Sequence, residues 1–385
     1  MKKSKHERTV STKEEKKTGK AKEKDKPRRY SRPVRITATV MSSVLAVVGV
    51  LCIAADVYLW VLFGRVNYVG DNPAQSGLEV STGLDPEESR PDNAIDFDPT
   101  AYANSSLAEI PVQSNTSDIT NILLIGVDGE TFQGNADTNI IMSINTRTKT
   151  VKLISLMRDI VVTVPGRDWN GDGMDDYAKL NSAYASGGFS LHSKMIEQNF
   201  RLKIDEYIAV NFEAFPKVID AMGGVDITMT GGEAERIPAE GTTVRYGGAG
   251  FVPMGTTDGT YHMDGYQALQ YARLRKYYSD SDFTRTSNQR ELISTLMTKA
   301  KDMSIGQLNS VLFEALSVVS TNMTPSEFMG FTANALTYKN YEIDTSYRVP
   351  EDGAWYNLWD DSFGSGLGLV NPEQSVLDLH EFIYG

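Results

Sequence analysis

An α/β sandwich built on a mainly buried sheet is the fold this sequence predicts, and three observations predict it. Unbroken apolar runs follow one another closely from Asn121 onward, helical patterns then alternate with strand patterns, and glycine pairs or acidic turns separate them at short intervals. Runs of that kind suit strands covered on both faces, and the alternation suits helices laid over a sheet.

The strand runs are NILLIGV (121–127), NIIMSIN (139–145) and VKLISL (151–156), followed by IVVTVP. Gly188–Phe200 reads as helix, Tyr207–Asn211 as strand, Phe212–Met222 as helix, and Val225–Thr228 as strand after the Gly223-Gly224 turn. Helical spacing returns at Asp264–Arg275 and Asp282–Lys301. Residues 304–385 continue the domain as mixed helix and loop, without a marked boundary or an internal repeat.

The two ends of the chain differ in charge. Residues 1–35 hold 15 of the 38 Lys/Arg and 5 of the 50 Asp/Glu, which leaves 23 basic and 45 acidic residues in 36–385. Such asymmetry marks a boundary being crossed. The segment 36–63 opens with twenty uncharged residues, ITATVMSSVLAVVGVLCIAA, enough for one transmembrane helix. Basic residues on its N-terminal side alone place residues 1–35 in the cytoplasm and the rest outside the cell. Tyr58 and Trp60 fall in the outer interfacial belt, and Asp56, which would cost about 2.5–3.5 kcal/mol at the bilayer centre, belongs near that interface. The long basic arm and the absence of a small-residue cleavage site favour an uncleaved anchor over a signal peptide. Residues 64–118, acidic and rich in Pro, Ser and Asn, read as an extracytoplasmic stalk, and 119–303 as the folded body. The basic tail has one aromatic, Tyr30, and too little apolar content to fold, so it can touch anionic lipid heads but carries no specific nucleic-acid reader.

Several chemistries are excluded. The single cysteine, Cys52, lies in the apolar span, so the outer domain has neither a disulfide framework nor a thiolate nucleophile. His6, His192, His262 and His380 stand alone, and no zinc-protease helix, nucleophile elbow, Walker loop or dinucleotide fingerprint occurs. What remains is acid and arginine at element ends. Asp128 follows the first strand run, Asp137 opens the second, and Arg158 and Asp159 close the third. Arg273 and Arg275 follow in YARLR, and Arg285 and Gln289 share a helix face at i,i+4. Two carboxylates at adjacent strand ends can share a hard cation such as Mg²⁺, and arginine forks hold phosphate. Spacing alone equally fits turn-capping aspartates and a surface ion-pair network.

The ordered set NILLIGVD, DT before a strand, SLMRD, KLNSAYASGG, DAMGGVDI, MDGYQALQYARLR and DFTRTSNQR resembles the LytR–CpsA–Psr family, from about residue 119 to about 303. The resemblance implies an α-β-α sandwich with a central mixed sheet and a hydrophobic pocket for a polyprenyl lipid. It further implies transfer of a phosphoglycan, a teichoic acid or capsule-like polymer, from its polyprenyl-pyrophosphate carrier to a peptidoglycan hydroxyl. By position, Asp128 and Asp137 would hold Mg²⁺, and Arg158, Arg273, Arg275 and Arg285 would bind the pyrophosphate beside Gln289. Asp159 or Asp137 would serve as general base. Hydrolysis of the lipid pyrophosphate at the same site and a non-enzymatic envelope regulator are the rival expectations.

The chain departs from the family pattern at three places. Asn135 stands where the family has an arginine, and Met157 replaces a proline. An insert, Arg167–Asp176, places Asp168, Asn170, Asp172, Gly173 and Asp176 at calcium-loop spacing, with Lys179 where the bidentate acid belongs. A second, Ca²⁺ site and a solvated acidic turn are the two readings of that insert.

Overall fold

The computed structural model describes residues 67–68, 89–99, 106–168, 175–275, 277, 282–324 and 341–385, with scattered positions between 327 and 340. The expected tail and membrane span lie outside these residues. Among the described residues no helix is long and apolar enough to cross a membrane.

Two short strands come first, β1 (Asn67–Tyr68) and β2 (Ile95–Asp96). The centre of the fold is β3 (Ile119–Val127), β4 (Ala136–Asn145) and β5 (Thr150–Leu156), an antiparallel meander in which Leu124 faces Ile140 and Ile141 faces Ile154. A hairpin follows, β6 (Val161–Thr163) and β7 (Tyr177–Lys179), whose strands flank the acidic insert in sequence. Helix α1 (Ser182–Phe200) begins six residues before the expected start and is broken at Gly187 and Gly188. Gly188 takes φ 59° and ψ −156°, a conformation that a residue with Cβ avoids, so the helix read from sequence is the part beyond the break.

Strand β8 (Glu206–Val210) lies parallel to β3. Helix α2 (Ala214–Ala221), strand β9 (Val225–Met229) and helix α3 (Gly231–Ala234) follow. The expected strand at 225–228 forms, but it pairs with β10 (Gly259–Met263) in a separate antiparallel ribbon. Helix α4 (Gly265–Ala272) starts with a capping box in which Asp264 accepts from Gln267 N and Gln267 answers to Asp264 N. A Cβ on Gly265 would come within 2.1 Å of the Pro216 carbonyl oxygen, so glycine is what lets α4 close on α2. Helices α5 (Asp282–Asp302) and α6 (Ile305–Leu316) complete this side.

The last segment contributes more strand than its composition shows. Strands β11 (Ser320–Thr321), β12 (Glu342–Asp344) and β13 (Arg348–Val349) all join the main sheet, whose order is β1-β11-β8-β3-β4-β5-β12 with β13 also on β5. The hairpin β14 (Trp355–Asp360) and β15 (Gly364–Leu369) pairs with β2, and helix α7 (Pro372–Tyr384) ends the chain. Part of the stretch expected as stalk is therefore bound to the domain. Ile95 and Asp96 pair with Leu358 and Trp359, Ser106 N donates to Glu373 at 2.6 Å, and Gln113 N donates to Arg201 O at 2.8 Å.

Side chains alternate across the sheet. Odd positions of β3 (Leu123, Ile125, Val127) are buried with Phe189, Met195 and Ile196 of α1 and Leu379 and Ile383 of α7. The opposite face, with Leu124 and Gly126, looks toward α2, α4 and α5, whose own cluster includes Ile219, Ala268, Tyr271 and Leu292. Helices thus cover both faces of a mixed sheet, in three layers.

Candidate active site

Between the even face of β3 and helices α2, α4 and α5 the packing is left open, and a cavity of about 310 Å³ runs there. Its walls are apolar: Leu124, Ile208 and Val210 from the sheet, Phe215 and Val218 from α2, Leu269 from α4, and Ile293 and Leu296 from α5. Asp137, Arg273, Arg275, Arg285 and Gln289 line the same cavity. Each helix carries the gradient in its sequence. On α5, positions 285, 289, 292–293 and 296 share one face, charged at the N-terminal end and hydrocarbon beyond. Gly126 is part of the floor, where a Cβ would come within 2.8 Å of Thr138.

The mouth is an interlocked set of charges. Arg158 donates from Nη1 to Asp137 at 2.7 Å and from Nε to Asp159 at 3.3 Å, and stands 3.6 Å from Asp282. Arg285, 3% exposed, donates to Asp282 at 2.8 Å and reaches the Asp137 carboxylate at 3.9 Å. Arg275 Nε lies 3.0 Å from Asp282. Asp282, at the start of α5, therefore joins three of the expected arginines. Sequence reading passed over it because a helix-opening aspartate is ordinarily a local cap.

Lys179 is the second residue missed. Read from sequence, it stood at the twelfth position of a calcium loop; here it is 2% exposed and its charge bears on Asp159. The β6–β7 hairpin returns it there, with Leu180 N bonded to Ile160 O at 2.9 Å, Asn181 N to Arg158 O at 3.0 Å, and Ala136 N to Asn181 O at 2.9 Å. The KLN segment thus ties the SLMRD turn to the strand bearing Asp137. Asn170, Asp172 and Gly173 lie outside the described residues. Within the hairpin base Asp175 accepts from Gly166 N and Gln198 Nε2, and Asp176 uses its backbone to hold Val164 and Arg167, while Asp168 is also described.

The charges are not equally balanced. Burial would lower the Arg158 pKa, but the Asp159, Asp137 and Asp282 charges outweigh it and raise it. Burial would raise Asp159, yet Arg158, Lys179, Arg285 and Arg275 hold its carboxyl below the usual range. Arg285 is lowered by burial and then by the Arg158 charge. Arg273 is lowered by burial and by Arg245; it stacks at 4.0 Å on Phe212 and, among the described residues, has no ion pair. Arg285 Nε and Gln289 Oε1 are buried without hydrogen-bond partners, while Gln289 Nε2 donates to Ala272 O at 3.2 Å. Arg158 is thus the arginine most heavily engaged by protein carboxylates, whereas Arg273 and the Nε edge of Arg285 have donors left for an anion.

Asp128 lies at the outer edge. Burial and then the Asp137 charge raise its carboxyl pKa, against the pull of Arg273, Arg158 and Arg285. A carboxyl whose proton affinity is raised by a neighbouring carboxylate suits a hard divalent cation shared with that neighbour. Among the described residues no cluster of three His, Cys, Asp or Glu occurs. Asn135 lies between the two aspartates, its carbonyl accepting from Asp128 N at 2.9 Å and Asp137 N at 3.1 Å, and its side-chain oxygen buried without a partner. Met157 is fully buried and donates its N–H to Val349 O at 2.9 Å, a bond that a proline there would lack.

Fold and site together define an α/β/α protein with a hydrophobic cavity that opens among arginines and aspartates. Residues 92–364 match the LytR_cpsA_psr family, and the chain belongs to that family. It is 33% identical over 268 residues to the polyisoprenyl-teichoic acid–peptidoglycan teichoic acid transferase TagU of Oceanobacillus iheyensis, covering 66% of this chain and 75% of that protein. It is 30% identical over 247 residues to biofilm regulatory protein A of Streptococcus mutans, where the match covers 61% of this chain and 59% of that protein. Among solved structures, protein gbs0355 from Streptococcus agalactiae aligns with a TM-score of 0.56 at 25% identity, over 73% of this chain and 89% of that one.

Proposed function

We propose that this protein transfers a phosphoglycan from a polyprenyl-pyrophosphate carrier to a hydroxyl of peptidoglycan. The observation that carries the reading is the cavity itself, an apolar channel ending at Arg273, Arg275 and Arg285. An amphiphile with a long hydrocarbon and a doubly anionic head fits that gradient, and TagU, a relative at 33% identity, is named for such a transfer. The 36–63 span would hold the domain on the outer side of the membrane that presents the carrier.

In this reading the prenyl chain lies against Leu124, Ile208, Val218 and Leu296, and the arginines hold the pyrophosphate. The acceptor hydroxyl oxygen attacks the glycan-bearing phosphorus, the bond from that phosphorus to the bridging oxygen breaks, and prenyl phosphate leaves. Such transfers pass through loose transition states, so positioning and charge stabilisation do most of the catalysis. Asp128 and Asp137 would hold a magnesium ion, which when bound neutralises phosphoryl charge. Asp159, held low by the surrounding cations, also fixes Arg158, and the hydroxyl proton passes to Asp137 or Asp159.

The test is full-length protein incubated with a short-chain prenyl-pyrophosphate glycan, Mg²⁺ and peptidoglycan oligomers, with products read by mass spectrometry. A glycan–phosphate–peptidoglycan conjugate is expected, reduced about a hundredfold or more by Arg273→Ala. Glycan phosphate released without conjugate would make the protein a hydrolase.

A further inference from the structure

Residues 239–252 form a loop closed at its base, where Ala239 N bonds to Val252 O at 2.8 Å and Met254 N to Ile237 O at 2.7 Å. Gly247 and Gly250, both at φ 83°, turn its tip. The loop exposes aromatic surface. Tyr246 is 54% exposed although the Arg236 guanidinium backs its ring at 5.1 Å and Phe251 meets its edge at 5.4 Å. Arg236 also lies 4.4 Å from the ring centre of Tyr277, giving a tyrosine–arginine–tyrosine stack. Arg236 is fixed in turn by donating to Gly232 O at 2.7 Å.

Three observations place this stack beside the mouth. Tyr277 is two residues from Arg275. Arg245, next to Tyr246, bears electrostatically on Arg273. Tyr266 on α4 donates to Thr243 O at 2.8 Å and joins the loop to the helix that ends at Arg273. Among the described residues Arg245 has no ion pair. A held, exposed aromatic face on a loop with an unmatched cation, beside an arginine-lined mouth, is a recognition surface.

We propose that Tyr246, backed by Arg236 and flanked by Arg245, is the subsite for the sugar–phosphate end of the lipid-linked donor. The inference rests on the transferase reading above. A sugar presents a face of slightly positive C–H groups, which suits the negative face of an aromatic ring. Arg245 supplies the charge complementary to a phosphate-bearing glycan, while Arg236, paired with Glu235 at 3.8 Å, only backs the ring; this favours the donor over a neutral acceptor sugar.

The experiment is calorimetric binding of full-length protein to two probes, a short-chain prenyl pyrophosphate carrying a disaccharide and the same prenyl pyrophosphate without sugar. Tyr246→Ala is expected to weaken the disaccharide probe about tenfold and leave the bare lipid unchanged, with Tyr246→Trp restoring affinity. Equal weakening of both probes, or of neither, overturns the subsite. So does unchanged donor affinity with a raised KM for peptidoglycan oligomers, which would assign the platform to the acceptor. Wild-type protein that binds neither probe would refute the transferase reading itself.

Discussion

At the residue scale, the arginines of the mouth separate into two kinds. Arg158 is held by Asp137, Asp159 and Asp282, and removing it takes from buried Asp159 its nearest cation while, among the described residues, Asp137 and Asp282 keep only Arg285 and Arg275. Arg158→Met is expected to cost about 3–5 kcal/mol of stability in urea unfolding, as the loss of one partner in a buried pair does. Arg273→Ala removes a cation that only stacks on Phe212, and its stability cost should stay within about 1 kcal/mol while anion binding is lost. Equal destabilisation by the two changes would refute the division. Of these residues, Asp137, Arg158, Arg273, Arg275 and Arg285 were legible as acid and arginine at element ends. Asp282 and Lys179 were not, because their roles exist only once distant segments meet: the start of α5 against the end of β5, and a hairpin strand against Asp159.

At the element scale, β3 to β5 were legible because strands buried on both faces write unbroken apolar runs. Strand β15 was not, since its sequence GSGLGL reads as loop. Its glycines answer to packing: a Cβ on Gly366 would meet Val161 at 2.4 Å, and one on Gly368 the Tyr356 ring at 2.4 Å. Strands β12 and β13, three and two residues long, are too short to carry a period. Helix α5 makes the clearest element-level prediction, because one face is charged at its start and hydrocarbon further on. Leu296→Trp places bulk in the cavity far from the arginines. It should weaken a long-chain prenyl pyrophosphate about tenfold or more and leave inorganic pyrophosphate binding unchanged, by calorimetry. A loss for both ligands would mean that the helix itself had shifted.

At the scale of the whole molecule, stability should depend on acid through a group far from the mouth. His192, one of the histidines that stood alone in the sequence, is fully buried in α1, and burial alone pushes its pKa down to about 3. Neither ring nitrogen has a hydrogen-bond partner. Between that value and the ordinary 6.5, the unfolded chain binds a proton that the folded one does not. Stability is therefore fully present above 6.5 and falls with pH, by roughly 1.4 kcal/mol per unit from this group. His192→Leu should flatten that part of the profile in urea titrations run at several pH values. Parallel profiles for wild type and variant would show that the ring is solvated or paired.

The cationic mouth is a small island on a strongly acidic body, since residues 36–385 carry 45 acidic against 23 basic side chains. A polyanion diffusing in bulk meets net repulsion before it can sense the arginines, whose field is largely cancelled by their own aspartates and fades within about a Debye length of 8–10 Å. With the lipid-linked donor proposed above, the domain would filter ligands by route of arrival. Free polyphosphates would be turned away kinetically, whereas a ligand whose tail had already entered the apolar channel would deliver its head inside the barrier. Raising the salt concentration weakens that filter, so inhibition by soluble polyanions should grow with ionic strength where simple ion pairing would make it fade.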